Sequence, residues 1–166
     1  MSWRALARKA IGALALIGAG CAVDNSLSGS VGELFSLEVS KVEVSRDVEA
    51  LQINYFLNRD QSIDLVAGVT VAIGDQNMHD GTKFALQGEY PPGHQRTTVV
   101  HLASGEPVRL LPPVKQGDMQ ISKNGNPGDQ MKGNFSMSFG TGGDLGDGRT
   151  LVGSFSATVR DGGFGP

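Results

Sequence analysis

The chain of 166 residues has little of several residue types on which small proteins often depend. It contains one cysteine, which excludes the framework of paired disulfides that holds many small secreted domains together. It contains one tryptophan, at position 3, and two tyrosines, which leaves little aromatic surface for stacking sugars or nucleic-acid bases. The composition is otherwise that of a globular protein, with 39% hydrophobic and 19% charged residues.

Recognisable catalytic and cofactor motifs are also missing. The chain contains no G-x-S-x-G, H-E-x-x-H or Walker lysine motif, and its glycine-rich segment 140–148 does not fit the dinucleotide-binding pattern G-x-G-x-x-G. In that segment Asp144 and Asp147 offer oxygen atoms to a cation such as Ca²⁺, but their spacing matches no EF-hand and Asp-Gly is common in turns. We therefore predict that the protein is not an enzyme and holds no metal or cofactor.

Three histidines are the remaining candidates for metal binding or acid–base chemistry. His79 and His94 lie in predicted turns and His101 lies in a predicted strand, with Asp75 or Asp80 as the acid that would complete a set. Nothing in the sequence brings these side chains together. We predict that all three are ordinary solvated histidines.

Charge is distributed unevenly along the chain. The first 20 residues contain Arg4, Arg8 and Lys9 and no acid, whereas the remainder carries 11 basic and 17 acidic residues, a net charge of 11 − 17 = −6. A mildly acidic domain is repelled by the phosphates of nucleic acids and by anionic lipid headgroups. We therefore expect no nucleic-acid partner.

The N-terminal stretch has the layout of a secretory signal. A basic segment over residues 1–9 precedes an apolar segment over residues 10–20, which ends in small residues. The apolar segment is too short to cross a bilayer core as a helix, which takes about 20 residues. The single cysteine, Cys21, follows it directly.

The sequence "LIGAGC", residues 16–21, resembles the lipobox of bacterial lipoproteins. In that family the cysteine receives a diacylglycerol, the signal peptidase cuts just before it, and the new N-terminus is acylated. The resemblance makes Ala19 and Gly20 the residues before the cut and Cys21 the lipid-bearing residue, while Gly18 stands where the family usually has leucine. Since each buried CH₂ contributes about 0.8 kcal/mol, several acyl chains hold such a protein on a membrane.

The family resemblance also implies a location. Lipoproteins retained in the inner membrane often carry aspartate after the cysteine, so Ala22 implies the outer membrane of a Gram-negative bacterium. The mature chain is similar to small all-β lipoproteins of myxobacteria-like species, through the phrases "GDGRTLVGSFSATV" and "LPPVKQGDM". That group implies an envelope location and no defined activity.

The residues after the cysteine predict a flexible link to the folded part. Residues 21–32 include the small, polar stretch "NSLSGSVG". About ten such residues reach roughly 17 Å on average, taking 5–6 Å times the square root of their number. The predicted organisation is a signal peptide at 1–20, a tether at 21–32, a folded domain at 33–160 and a short tail at 161–166.

The folded part shows the two-residue alternation of half-buried strands. One face of residues 51–57 carries Leu51, Ile53, Tyr55 and Leu57. One face of residues 65–73 carries Leu65, Ala67, Val69, Val71 and Ile73. Residues 33–45 alternate as well, but the phase changes midway, which predicts a β-bulge near Ser40–Lys41.

The spacing of these segments predicts the fold class. No segment after the signal shows a sustained 3.6-residue period, and turn residues separate about eight or nine short strands. We predict an all-β domain, a single Greek-key β-sandwich of antiparallel strands that follows an N-terminal signal helix. A small closed β-barrel is the alternative.

The last two predicted strands resemble each other. Residues 132–139 read "KGNFSMSF" and residues 152–159 read "VGSFSATV", which places Phe135 and Phe155 on inward faces. Gly133 and Gly153 indicate a bulge or a close approach of the backbone. We interpret the pair as one hairpin.

These observations leave three classes of function open. The sequence favours a lipid-anchored envelope protein with a binding or structural role, whose loops or exposed edge meet another envelope component. The alternative is a small-ligand carrier of β-barrel type, which needs a continuous internal cavity. A hydrolytic or metal-dependent enzyme comes third, because it needs His, Asp or Ser side chains in one pocket.

Overall fold

A computed structural model describes residues 25–74, 76–142 and 148–162. These residues form ten strands, one 3₁₀ turn at Ser30–Glu33 and no α-helix, so the predicted all-β class is confirmed. Within these ranges there is no helix of the length and apolar character needed to cross a bilayer. The strands are β1 (Ser26–Ser28), β2 (Lys41–Arg46), β3 (Ala50–Asn58), β4 (Ile63–Ala72), β5 (Lys83–Ala85), β6 (Thr97–Leu102), β7 (Arg109–Leu110), β8 (Val114–Lys123), β9 (Gln130–Phe139) and β10 (Thr150–Asp161).

The ten strands form one curled, mixed sheet with the shape of a half-barrel, which is compatible with a sandwich or a barrel. The strand order is β5-β8-β9-β10-β2-β3-β4-β6-β7, and β1 pairs with β10. The described pairings are antiparallel except where Val159–Asp161 of β10 runs parallel to Val44–Arg46 of β2. The prediction of purely antiparallel strands is therefore wrong at this pair, because the long chain between β2 and β10 permits the parallel pairing that a tight hairpin forbids.

The core lies where the two halves of the curled sheet face each other. The Tyr55 hydroxyl of β3 donates a hydrogen bond to the Ser154 carbonyl of β10 at 3.0 Å. Its ring meets Phe135 of β9 edge-on, with 6.2 Å between ring centroids. Because neither β9 nor β10 is a sheet neighbour of β3, these contacts join the two inner faces. Large, fully buried side chains fill the space between the faces, namely Tyr55, Phe135, Phe139, Phe155, Leu51, Ile53, Ile73, Leu86, Met119, Ile121, Met131 and Met137.

The repeated glycine and phenylalanine residues pack together in the β9–β10 hairpin, whose prediction is confirmed. Phe135 lies opposite Gly153, and Phe155 lies opposite Gly133. A Cβ atom added to Gly133 would lie 2.5 Å from Cζ of Phe155, so the ring occupies the space that any larger residue needs. The predicted close approach is thus correct, and the register of the hairpin shows no bulge at either glycine.

The predicted strand over residues 33–45 is wrong in its first half. β2 begins only at Lys41, and the chain bends at Ser40, whose N–H donates to the Phe56 carbonyl at 2.8 Å. Phe35 and Leu37 pack against the core from a segment that is neither strand nor helix. The change of phase that predicted a bulge near Ser40–Lys41 therefore marks the start of the strand.

The structure also differs from the predicted tether at residues 25–32. Ser26 of β1 pairs with Ser154 of β10, and their hydroxyl oxygens lie 2.9 Å apart. The Asn25 side-chain oxygen accepts a hydrogen bond from the Ser156 N–H at 2.7 Å. The small polar residues that predicted flexibility instead hydrogen-bond to β10, so the described fold begins before residue 33.

Candidate functional site

The residues to which the sequence assigned specific roles lie outside the described ranges. These are the lipid-attachment residue Cys21, the preceding Ala19 and Gly20, and the loop residues Asp144 and Asp147. The lipid anchor and the absence of a metal from the loop remain predictions.

The three histidines occupy separate places. His79 lies in the exposed loop before β5, where its N–H donates to Thr82 Oγ1 at 2.8 Å, and His94 lies in an exposed turn. Asp80 accepts a hydrogen bond from a loop N–H at 2.7 Å, which gives this acid a structural role. No group of three His, Cys, Asp or Glu side chains in the described residues is arranged to hold a metal.

His101 is buried, which corrects its prediction as a solvated residue. Its side chain is 4% exposed, and its ring stacks on Phe35 at 3.9 Å between centroids with 15° between the planes. Nδ1 lies 2.9 Å from the Val66 carbonyl oxygen. Because a carbonyl can only accept, Nδ1 carries the proton, and Nε2 is the acceptor in the neutral ring. The alternation of Thr97, Val99 and His101 along β6 is the signal that places this histidine on the inner face.

A bulge in β4 brings an acid to the same pocket. Tyr55 of β3 lies opposite Ala67 of β4, and the next residue, Phe56, lies opposite Leu65. Val66 is therefore an extra residue in β4. The regular alternation predicted that Leu65 faces inward. On the N-terminal side of the bulge it is instead Asp64 that faces inward, and Asp64 is 4% exposed. The prediction for Leu65 is wrong because a one-residue insertion exchanges the two faces of the strand.

Asp64 connects two segments at this end of the sheet. Arg59 Nε donates to Oδ2 at 2.6 Å, and the Ser104 N–H donates to Oδ1 at 2.8 Å. The hydrogen bond from Arg59, followed by that from Ser104, holds the pKa of Asp64 below its usual value, while burial opposes the shift. Both carboxylate oxygens already accept a hydrogen bond, so Asp64 holds the β3–β4 turn to the segment after β6.

The polar pocket formed in this way is small. It has a volume of about 160 Å³ and includes Phe35, Arg59, Asp64, His101 and Glu106 in its lining. A water molecule takes up about 30 Å³ in the liquid, so the pocket has room for a few waters. Its described hydrogen bonds link Asp64 to the Arg59 side chain and to the Ser104 N–H, and link His101 Nδ1 to the Val66 carbonyl.

The outer face of the same strands carries an exposed aliphatic surface, which we call the outer patch. It consists of the exposed residues Ile63 (68%), Leu102 (39%), Val108 (63%) and Leu110 (64%), with the half-buried Leu65 and Val100. Leu65 pairs with Leu102, and Val100 pairs with Leu110, so the side chains adjoin one another across β4, β6 and β7. The sequence does not predict the patch, because its members come from three segments whose pairing is not visible in the sequence.

Two open clefts lie at the other end of the sheet, around the β2–β3 turn. One has a volume of about 440 Å³ and is lined by Val48, Glu49, Ala50, Ala72, Gly74, Tyr90 and Pro91. The other has a volume of about 340 Å³ and is lined by Arg46, Asp47, Val48, Asn126, Pro127 and Asp161. None of the residues that line either cleft belongs to the buried core, so both clefts lie at the surface.

Comparison with models of protein families, with curated proteins and with solved structures found no match to this chain.

Proposed function

We propose that the protein is a lipid-anchored binding protein of the bacterial envelope, which attaches through Cys21 and binds a partner protein through the outer patch. The observation that carries the binding role is the exposure of three large aliphatic side chains on adjoining strands, Ile63, Leu102 and Leu110, with the exposed Val108 just before β7. A contiguous exposed apolar surface is typical of an interaction site, whereas single exposed aliphatic residues are ordinary. The lipid anchor rests on the resemblance of residues 16–21 to a lipobox.

The surroundings of the outer patch favour a protein over a lipid surface as its partner. The segments that carry the patch also carry charges of both signs: Arg59 lies in the β3–β4 turn before Ile63, and Glu106 and Arg109, in the segment that contains Val108 and Leu110, form an exposed ion pair at 2.9 Å. An apolar centre with a polar rim of both signs is the usual anatomy of a protein interface. A lipid-binding surface instead favours basic residues and tryptophan, and the only tryptophan lies at position 3.

The interior of the fold supports binding at the surface. Tyr55, Phe135 and Met137 fill the space between the two halves of the sheet. A carrier needs that space for its ligand.

Cell fractionation tests the anchor. The full chain and its Cys21→Ser variant are expressed in a Gram-negative host, and membranes are washed at high salt to remove proteins held by charge alone. We expect the unchanged protein to remain in the membrane fraction and the variant to leave it. A variant that stays with the membranes contradicts the anchor.

Site-specific photo-crosslinking tests the outer patch. A photoreactive residue at Leu110 is compared with one at Val48, which is 84% exposed at the other end of the sheet. We expect one discrete adduct from position 110, none of that size from position 48, and loss of the adduct on an added Ile63→Lys change.

A stability measurement serves as the control, because Ile63→Lys replaces an exposed residue and changes the free energy of unfolding by less than about 0.5 kcal/mol. The same adduct from both positions, or an adduct that survives Ile63→Lys in a stable variant, contradicts the proposed surface.

A further inference from the structure

The pairing of β1 with β10 fixes where a lipid on Cys21 meets the domain. Asn25 is four residue steps from Cys21, and four steps span at most about 14 Å when fully extended. Asn25 is itself held by the Ser156 N–H, and Ser26 is held by Ser154. Asn25 therefore lies within about 14 Å of the lipidated residue, and the middle of β10 is one side-chain hydrogen bond further away, so the link is much shorter than the predicted twelve-residue tether.

The outward-facing residues around this point are polar. Along β10 the odd-numbered Phe155 and Val159 are buried, so Ser156, Thr158 and Arg160 face outward. Arg160 lies about 13 Å further along the strand than Ser156, at about 3.3 Å per residue. On the neighbouring β9, Lys132 pairs with Ser156.

The charge of this face differs from that of the whole domain. Arg160 and Lys41 both contact the carboxylate of Glu43 on β2, at 3.1 and 2.5 Å. Among the described residues of this face, which also include Lys132, three are basic and one is acidic, a charge of 3 − 1 = +2, although the chain after residue 20 is acidic. Asp129 and Asp161 lie at the border, beside the turn before β9 and at the end of β10.

We infer that the outer face of β10, with the adjoining parts of β9 and β2, lies against the lipid headgroups of the membrane that holds the protein. The inference rests on the proposed lipid anchor, since the short chain after Cys21 is what brings this face to the surface. Lysine, arginine and hydroxyl groups donate hydrogen bonds to headgroup phosphates, and basic residues gain further from anionic lipids. The face lies on the headgroups and does not insert, because serine, threonine and charged residues predominate on it.

This orientation leaves the outer patch free to bind a protein. The strands that carry the patch, β4, β6 and β7, lie three to five positions from β10 along the sheet. Because the sheet curls, the outer surface of those strands faces a different direction from that of β10. One protein thus carries a membrane-facing surface and a partner-facing surface.

Fluorescence quenching by labelled lipids tests this orientation. Natively lipidated protein is purified and reconstituted in vesicles of phosphatidylethanolamine and phosphatidylglycerol that contain lipids with a quencher on the headgroup. A fluorophore is attached at Thr158→Cys or, as the matched control, at Thr98→Cys on the outer face of β6. Lipidated Cys21 has no free thiol, so the introduced cysteine is the only one labelled. We expect strong quenching at position 158 and little at position 98.

A charge reversal supplies the second readout. Arg160→Glu and Arg109→Glu each break an exposed ion pair, but only Arg160 belongs to the membrane-facing surface. In the same vesicles, we expect Arg160→Glu to lower the fraction of anchored protein whose β10 face lies against the headgroups by about fivefold or more, and Arg109→Glu to leave the quenching at position 158 unchanged.

The mass of the purified protein separates the two claims. If Cys21 carries no lipid, the anchor itself is wrong and the orientation fails with it. If Cys21 is lipidated and position 98 is quenched as strongly as position 158, the anchor stands and the inferred orientation is wrong.

Discussion

The Tyr55 hydroxyl provides a sharp test of how the two halves of the sheet are held together. Tyr55→Phe removes the hydrogen bond to the Ser154 carbonyl and keeps the ring that packs edge-on against Phe135. A net hydrogen bond between uncharged groups contributes about 1 kcal/mol, so we expect this variant to lose that much free energy of unfolding. Tyr55→Ala, which also leaves a cavity, loses about 3–5 kcal/mol, a large share of the 5–15 kcal/mol typical of a domain.

The dependence of this difference on pH follows from the pKa of the same group. Burial raises the pKa of the Tyr55 phenol far above its usual value near 10. The folded state therefore keeps the neutral phenol, whereas the unfolded state ionises it above pH 10. The stability that the neutral phenol contributes is complete below about pH 10 and falls by up to about 1.4 kcal/mol for each pH unit above it. The Tyr55→Phe variant lacks this fall.

Two measurements check the argument. Urea denaturation gives the free energies of unfolding of the unchanged protein and of Tyr55→Phe at neutral and alkaline pH. Ultraviolet absorbance follows phenolate formation in a Tyr90→Phe background, where Tyr55 is the only tyrosine. We expect ionisation to coincide with unfolding. Reversible ionisation of Tyr55 near pH 10 in the folded protein, or a Tyr55→Phe variant as stable as the parent, would refute the reasoning.

Two further predictions concern packing and charge. Gly133→Ala places a Cβ 2.7 Å from the Gln120 carbonyl oxygen, and we expect it to destabilise the fold by about 1–3 kcal/mol in urea denaturation. The control is Gly140→Ala, whose Cβ lies 3.5 Å from its nearest atom and leaves stability nearly unchanged. Equal effects of the two changes would contradict the packing of the hairpin. Asp64→Asn removes the ion pair with Arg59 and lowers the urea midpoint at neutral pH. Because the pKa of Asp64 is lowered in the folded state, the difference in stability between the unchanged protein and Asp64→Asn is full above the unfolded pKa of about 3.9 and shrinks as the pH falls below it. A difference in stability that does not depend on pH would show that the charge of this carboxylate does not stabilise the fold.

The regular strands of the fold are accessible from local patterns. Leu51, Ile53 and Tyr55 alternate along β3 without interruption, and all three are fully buried. The repeated spacing of glycine and phenylalanine predicts the β9–β10 hairpin, since each ring needs a glycine opposite it. In these segments, local alternation and the long-range packing favour the same arrangement.

Other features depend on partners that local patterns do not identify. The bulge at Val66 lies in an apolar stretch, where inward and outward positions look alike, so Asp64 is assigned to the wrong face. β1, Ser-Leu-Ser, lies in a small, polar stretch that predicts a tether, and it becomes a strand by pairing with β10, more than 120 residues away. The outer patch likewise depends on the pairing of β4, β6 and β7, which brings residues from three segments side by side on the outer face.

The proposed attachment to the membrane depends on hydrocarbon chains bound to one sulfur atom, that of Cys21. Intact-mass and peptide mass spectrometry of the protein isolated from its native membrane tests this most directly. We predict a mature chain that begins at Cys21, with a diacylglycerol on the sulfur and an acyl group on the new amino terminus. A free thiol at position 21, or a chain that retains residues 1–20, would contradict the account.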